Sequence, residues 1–270
     1  MHRKEQAIAP LLEAALGVKT LVPPNFDTDA LGTFTREVPR PDNQQKTARL
    51  KAEAALALVG GDLAIASEGS FGPHPHMPWV GCDRELVLLY DRQHNLDITG
   101  EIISTNTNFR AETVRSPAAA LKFAETVGFP EHGLIVMPAT DRKAPQQTTT
   151  IKKGITTEAA LIEAVASTLA QSGKAHVETD MRALYNPTRM AVIAEATQAL
   201  IEVIQQRCPD CHCPGFSAVR QLPGLPCRQC GSPTLLTLST VYQCQGCQTE
   251  KIYPAAEATT GPANCMFCNP

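Results

Sequence analysis

Eight of the ten cysteines in this chain fall into four C-x-x-C pairs within its last 63 residues. The pairs are Cys208/Cys211, Cys227/Cys230, Cys244/Cys247 and Cys265/Cys268, with 15, 13 and 17 residues between successive pairs. A C-x-x-C turn aims two thiolates at one point, and two such turns complete a tetrahedral zinc site. The set therefore suits two zinc ions with no ligand left over. The middle pairs frame a zinc ribbon: a knuckle at Cys227/Cys230, a strand over 235–241, and a knuckle at Cys244/Cys247. The outer pairs would then share the second ion in a nested arrangement, with a cross-braced pairing as the alternative. Gly231 and Gly246 are expected to supply the positive φ that a knuckle needs. Complete four-cysteine sets leave no open coordination position, so both ions are read as structural. His212 and Cys213 are spare donors beside the first knuckle, and Cys82 reads as a small core or loop residue.

At 270 residues with 43% hydrophobic content, the chain is long enough for one substantial core and a small appended module. No apolar run approaches the roughly 18 residues of a membrane span, so no membrane partner is expected. Met1-His2-Arg3-Lys4-Glu5 has no apolar stretch behind its charges, unlike a secretory signal. Paired thiols without such a signal point to a reducing, cytoplasmic setting. Within 208–270, Arg220, Arg228 and Lys251 are balanced by Asp210, Glu250 and Glu257. Four thiolates around each 2+ ion would make the loaded module acidic. Nucleic-acid binding relies on Lys and Arg neutralising phosphates, so this charge balance argues against it.

The periodicity predicts helices over 5–16, 44–59, 117–127, 157–171 and 187–206, with Asp42 or Asn43, Ser116 and Asn186 as caps and Gly60-Gly61 ending the second. Strands are expected over 63–67, 85–90, 97–104, 134–137 and 148–152, separated by a Gly/Pro/His loop at 68–78. Several strands are continuously apolar. Together these features predict an α/β domain, a mixed sheet covered by helices, over 1–205, followed by a zinc-ribbon module over 206–270.

Three polar clusters are candidate sites. In Ala66-Ser67-Glu68-Gly69-Ser70-Phe71-Gly72-Pro73-His74-Pro75-His76, a carboxylate ends an apolar strand, where α/β enzymes present acids. Glu68 there could hold Mg²⁺ or act as a base; an exposed turn carries the same residues. His74 and His76 fit an extended loop better than a metal site, having no third ligand at metal spacing. Asp27, Asp29 and Glu37 put three carboxylates within eleven residues of loop-like composition, suited to Mg²⁺ and equally to solvent. Finally, Glu178-Thr179-Asp180-Met181-Arg182 and Tyr185-Asn186-Pro187-Thr188-Arg189 precede and enter a helix N-terminus, which attracts anions. Arg182 with Arg189 could clamp a phosphate there; capping and surface ion pairs would use the same residues.

The Ala66–Pro75 and Glu178–Arg189 motifs, His2-Arg3-Lys4-Glu5, Asp27-Thr28-Asp29 and the cysteine pairs resemble an uncharacterised bacterial family classed only as a domain of unknown function. The resemblance spans nearly the whole chain and implies no established activity. Lys4, Thr33-Phe34, Ala48-Arg49-Leu50-Lys51-Ala52 and Ser67-Glu68 also look similar to inosine/xanthosine triphosphate pyrophosphatases. That resemblance, over residues 1–110, implies phosphate binding near Lys4 and Lys51 and Mg²⁺ held by Glu68 with Asp29 or Glu37; Arg182 is read as a further phosphate-holding residue from its place ahead of a helix N-terminus. This chain differs in placing Ser67-Glu68 where that family pairs two acids, and the strand preceding its phosphate loop would fall ahead of Met1.

Two functions compete. The leading one is a Mg²⁺-dependent nucleotide phosphohydrolase-like domain with a structural zinc module, acting on a nucleotide or other phosphorylated small molecule. The alternative is a non-catalytic ligand- or protein-binding module that meets its partner through the zinc ribbon.

Overall fold

The computed structural model describes residues 3–24, 26, 43–139 and 151–270. Asp27, Asp29, Thr33, Phe34 and Glu37, and the first residues of the strand expected at 148–152, lie outside them. The chain opens with helix α1 (Glu5–Leu16) and helix α2 (Gln44–Val59). Asn43 caps α2, its side chain accepting from the Lys46 amide at 3.0 Å, and Gly60 closes it at φ 75°. Strands β1 (Leu63–His74), β2 (Met77–Asp91) and β3 (Leu96–Ser104) follow as an antiparallel meander.

The expected loop at 68–78 is instead mostly strand. β1 pairs with β2 from Leu63↔Asp91 to Pro73↔Gly81, with only a register shift at His74. The glycines, prolines and charges that suggested a turn are accommodated because Glu68 and Glu85 are buried against cations, so polar positions here behave as core.

Helices cover both faces of this sheet. Ala48, Ala52 and Leu56 of α2 pack on Ala64, Ala66, Leu86, Leu88 and Tyr90. On the other face, Ile8 and Leu12 of α1 join Val87, Leu96 and Ile98 beneath helix α5 (Pro187–Gln205). The run Leu86-Val87-Leu88-Leu89 is apolar for that reason. It is not the mark of a parallel strand.

Strand β4 (Ala111–Val114), helix α3 (Pro117–Thr126), strands β5 (Leu134–Pro138) and β6 (Lys152–Ile155), helix α4 (Glu158–Ser172) and strand β7 (Ala175–Thr179) build a second sheet in the order β4-β7-β5-β6. α3 and α4 bury Phe123, Leu161 and Val165 against Val114, Leu134, Val136 and Val177. Beyond α5, strands β8 (Ser217–Pro223), β9 (Thr237–Gln243) and β10 (Glu250–Pro254) form a third sheet in the order β10-β9-β8. The fold is thus mixed α/β with three sheets and five helices among the described residues. The ladders joining the named strands are all antiparallel, which corrects the expected single mixed sheet.

α5 lies unusually close to β3. A Cβ on Gly100 would fall 2.1 Å from the Leu200 amide nitrogen and 2.5 Å from the Ala196 carbonyl oxygen. Those atoms are helix backbone, so α5 would have to move as a body. Gly100→Ala should therefore cost about 3 kcal/mol, the upper part of the usual overpacking range. Gly72→Ala, where a Cβ meets nothing within 4 Å, is the control. Urea midpoints that move equally in the two variants would refute the close approach.

Candidate functional site

The end of the meander nearest the β1–β2 turn gathers ionisable side chains between helices. Antiparallel pairing sets Ser67, Gly69 and Phe71 opposite Val87, Glu85 and Asp83, so these residues share the face covered by α1 and α5. Arg189, in the first turn of α5, reaches that face. Its Nε donates to Glu85 Oε1 at 2.7 Å with both side chains fully buried, and its Nη1 donates to the Met181 carbonyl. The guanidinium also lies 5.2 Å from the centroid of the Phe71 ring. Gly69 is required beneath this pair, since a Cβ there would sit 2.1 Å from Glu85 Oε1 and 2.5 Å from an Arg189 nitrogen.

Lys4, immediately ahead of α1, donates from Nζ to Ser67 Oγ at 3.1 Å and to the Ser67 carbonyl at 3.4 Å. On the opposite face of β1, Glu68 forms an ion pair with Lys51 of α2, their side chains only 4% and 13% exposed. Gln44 Nε2 closes the same corner by donating to the Arg84 carbonyl at 2.9 Å.

This burial moves protonation equilibria. Desolvation, aided by Arg189, lowers Lys4 to about 8. Desolvation and then the neighbouring Glu85 charge push Asp83 up to about 8. Burial opposes ionisation of Glu85 as well, but Arg189 and Lys4 outweigh it and hold that carboxyl below its usual range.

Of the expected ligand-site residues, Lys4 and Arg189 share the face covered by α1 and α5, while Lys51 and Glu68 pair on the opposite face of the same strands. Arg182 does not join them. It grips Asp180, with Nε 3.0 Å from Oδ1 and Nη2 2.6 Å from Oδ2, and lies 4.6 Å from the Tyr185 ring. Asp180 also accepts from the Gly154 amide at 3.0 Å. Glu68 sits within a strand, not at the end of one. Asp83 and Glu85 were not singled out from sequence. Their signal was available: two acids at i and i+2 leading directly into an apolar strand.

The eight paired cysteines form two groups, each with its sulfurs within 4.8 Å of one another: Cys208, Cys211, Cys244, Cys247 and Cys227, Cys230, Cys265, Cys268. First and third pairs combine, as do second and fourth. The arrangement is cross-braced, which corrects the nested pairing. Cys208–Cys247 and Cys211–Cys244 are 3.7 and 3.6 Å apart, and Cys227–Cys268 and Cys230–Cys265 are 3.9 and 3.6 Å apart. A tetrahedron with metal–sulfur bonds of about 2.3 Å has edges of about 3.8 Å. Disulfide sulfurs would lie about 2 Å apart. Both groups could therefore hold a metal ion.

All four turns use one hydrogen bond. The amide after the second cysteine donates to the first cysteine's carbonyl: His212 to Cys208 at 3.0 Å, Gly231 to Cys227 at 2.8 Å, Gln248 to Cys244 at 2.9 Å and Asn269 to Cys265 at 2.8 Å. Positive φ occurs at His212, Gly231 and Gln248. Gly231 is as expected, whereas Gly246 has no positive φ. It is needed for space, because a Cβ there would lie 2.9 Å from Cys213 Sγ.

A family model matches residues 51–270 of this chain. The chain belongs to DUF6671, a domain of unknown function. No curated protein and no solved structure matches it. The DUF6671 match includes Lys51, Glu68, Asp83, Glu85, Arg189 and all eight paired cysteines, while Lys4 precedes it.

Proposed function

We propose that this DUF6671 protein is a phosphohydrolase-like enzyme acting on a nucleotide or another phosphorylated small molecule, with two zinc ions as scaffold. The observation that carries it is the gathering at one end of the sheet of Lys4, Asp83, Glu85 and Arg189 on one face and of Lys51 and Glu68 on the other, with Lys4 and Asp83 both brought to about 8. Buried groups poised near working pH are what proton transfer requires, and such groups concentrate at functional sites. Lys4, Lys51 and Arg189 supply the positive charge that would hold a phosphate. Arg182, already engaged with Asp180, would serve from the neighbouring segment.

The eight thiols fit zinc by donor type and spacing, and each centre would be closed to substrate. Mg²⁺ fits less well. Asp29 and Glu37 lie outside the described residues, and Glu68 is already paired with Lys51. No step is therefore routed through that ion. Thiolate centres of this kind belong in a reducing compartment, which supports a cytoplasmic location. No helix among the described residues is long and apolar enough to cross a membrane.

The test is release of phosphate or pyrophosphate by the full chain from a panel of nucleoside triphosphates, with and without Mg²⁺. Turnover should fall roughly a hundredfold in Glu68→Gln, the lower end of the usual contribution of an acid–base group. No turnover, or turnover indifferent to Glu68→Gln, would end this reading.

One observation favours the binding alternative. Leu235, Phe267, Met266 and Ile252 of the C-terminal segment are 86%, 69%, 64% and 62% exposed. Four large apolar side chains left in solvent on one segment of the chain are what a partner surface would bury. A partner captured by the full chain and lost in Phe267→Ser, in the absence of any turnover, would favour that function.

A further inference from the structure

Asp83 is 1% exposed, and neither of its carboxylate oxygens meets a hydrogen-bond donor among the described residues. Glu85 Oε2 is in the same position, although Oε1 of that group is held by Arg189. The two acids stand two residues apart on β2, so their side chains leave the sheet on one face. Two carboxylates cannot both stay ionised side by side without water, and an unmet acceptor in such a place is costly. One proton between them relieves both problems. Arg189 determines which oxygen keeps the negative charge: its ion pair stabilises Glu85 as the carboxylate and leaves Asp83 as the acid.

We infer that Asp83 and Glu85 hold a single proton between them, and that this proton makes the cluster an acceptor for a phosphate-type oxyanion. The charge count supplies the link. With Asp83 neutral, Lys4 and Arg189 face Glu85 on this side of the sheet among the described residues, leaving the cluster one charge positive, while Lys51 and Glu68 cancel on the other side. Without the proton the charges cancel, and the attraction for an anion goes with them. The groups facing Asp83 are Glu85 beside it, Arg189 from α5 and Lys4 from the start of α1. Across the neighbouring strands it meets Phe71 of β1 and Ser104 of β3, while Glu68 and Lys51 act from the opposite face. The ligand class rests on the proposed function; the shared proton does not.

Infrared spectroscopy of the full-length protein tests the proton directly. A carbonyl band of a protonated carboxylic acid should be present at neutral pH, titrate away through about 8, and be missing from Asp83→Asn. Stability gives a second readout. Folding raises the Asp83 pKa from 3.8 to about 8, so the native chain binds the extra proton in that window. Stability due to this group is complete below the window and is lost as pH rises through it. The folding equilibrium should weaken about tenfold per pH unit there. Asp83→Asn, which keeps a neutral donor beside Glu85, should remove that slope. Absence of the band in the native protein, or an unchanged slope in Asp83→Asn, overturns the shared proton.

Calorimetry with inorganic pyrophosphate on the native protein and on Asp83→Asn tests the ligand class. Lys4 titrates in the same range, so affinity should fall with pH more steeply in the native protein than in Asp83→Asn, by about tenfold per pH unit, as the one extra linked proton requires. Equal slopes in the two proteins, or no binding by the native protein, overturns the anion assignment. Missing turnover with the band and the pH-linked binding intact would sink only the hydrolase reading.

Discussion

Cys244→Ser is expected to unfold the C-terminal segment and to lower the melting temperature of the α/β part as well, whereas Cys268→Ser should spare the latter. Structural zinc sites contribute about 10–16 kcal/mol in small peptides, comparable with or above the whole stability of a typical domain. A three-stranded sheet as exposed as β8–β10 has little apolar core to survive that loss. The first centre is also tied to the core. Cys213, beside it, packs with Ile98, Leu200 and their neighbours. A Cβ on Gly215 would lie 2.9 Å from Ile98 Cγ1. Gln245, between Cys244 and Cys247, accepts from the Asp97 amide at 2.9 Å and donates to the Asp97 carbonyl at 2.6 Å. Opening this centre therefore exposes apolar surface of β3 and α5 to water. The second centre is joined by bonds within its own segment, such as the amide of Arg228 to the Thr260 carbonyl at 2.9 Å. Thermal unfolding with limited proteolysis separates the outcomes. Equal losses of core stability in the two variants would contradict this asymmetry, and a chelator should reproduce the Cys244→Ser result in the native protein.

Arg189→Ala carries the second large effect, an expected loss of about 3–5 kcal/mol. The substitution leaves Glu85 charged, buried and without its main partner, and it withdraws the donor that satisfies the Met181 carbonyl. Arg189→Lys should recover less than half of that loss. One ammonium cannot copy a planar fork that meets the carboxylate with Nε and the carbonyl with Nη1. Joint replacement, Glu85→Leu with Arg189→Met, should be far milder than Arg189→Ala, because no lone charge remains in the interior. Denaturant titrations read all three. A single-variant cost below about 1 kcal/mol, the size of an exposed ion pair, would show that the pair is more hydrated than its burial implies.

Much of the local structure was legible in residue order. α2 is bounded where Asn43 and Gly60 indicated, and the Ser116-Pro117 and Asn186-Pro187 signatures begin α3 and α5. Capping works through a side chain and an amide three residues apart, so sequence contains nearly all of its information. The β1–β2 hairpin was less legible for the opposite reason. Glycine, proline and glutamate are poor strand formers on their own. Their place here depends on Arg189 and Lys51, which are 104 and 17 residues from the acids they meet. Asp83 was marked only by its place two residues before Glu85 and ahead of an apolar strand, and its burial depends on Arg189 and Lys4, which are far from it in the chain.

The four C-x-x-C pairs show both sides of this division. Residue order alone singled out the eight side chains that could hold metal, because each turn closes over five residues through its own backbone hydrogen bond. Their partnership was decided only in three dimensions. Any two turns can supply a tetrahedron, so spacing along the chain does not rank nested against cross-braced pairing. What selects it is the antiparallel packing of β8, β9 and β10, which brings Cys244/Cys247 to Cys208/Cys211 at the end of α5 and leaves Cys265/Cys268 beside Cys227/Cys230. Ligand identity is a short-range property of the backbone turn. Ligand pairing is a long-range property of the sheet.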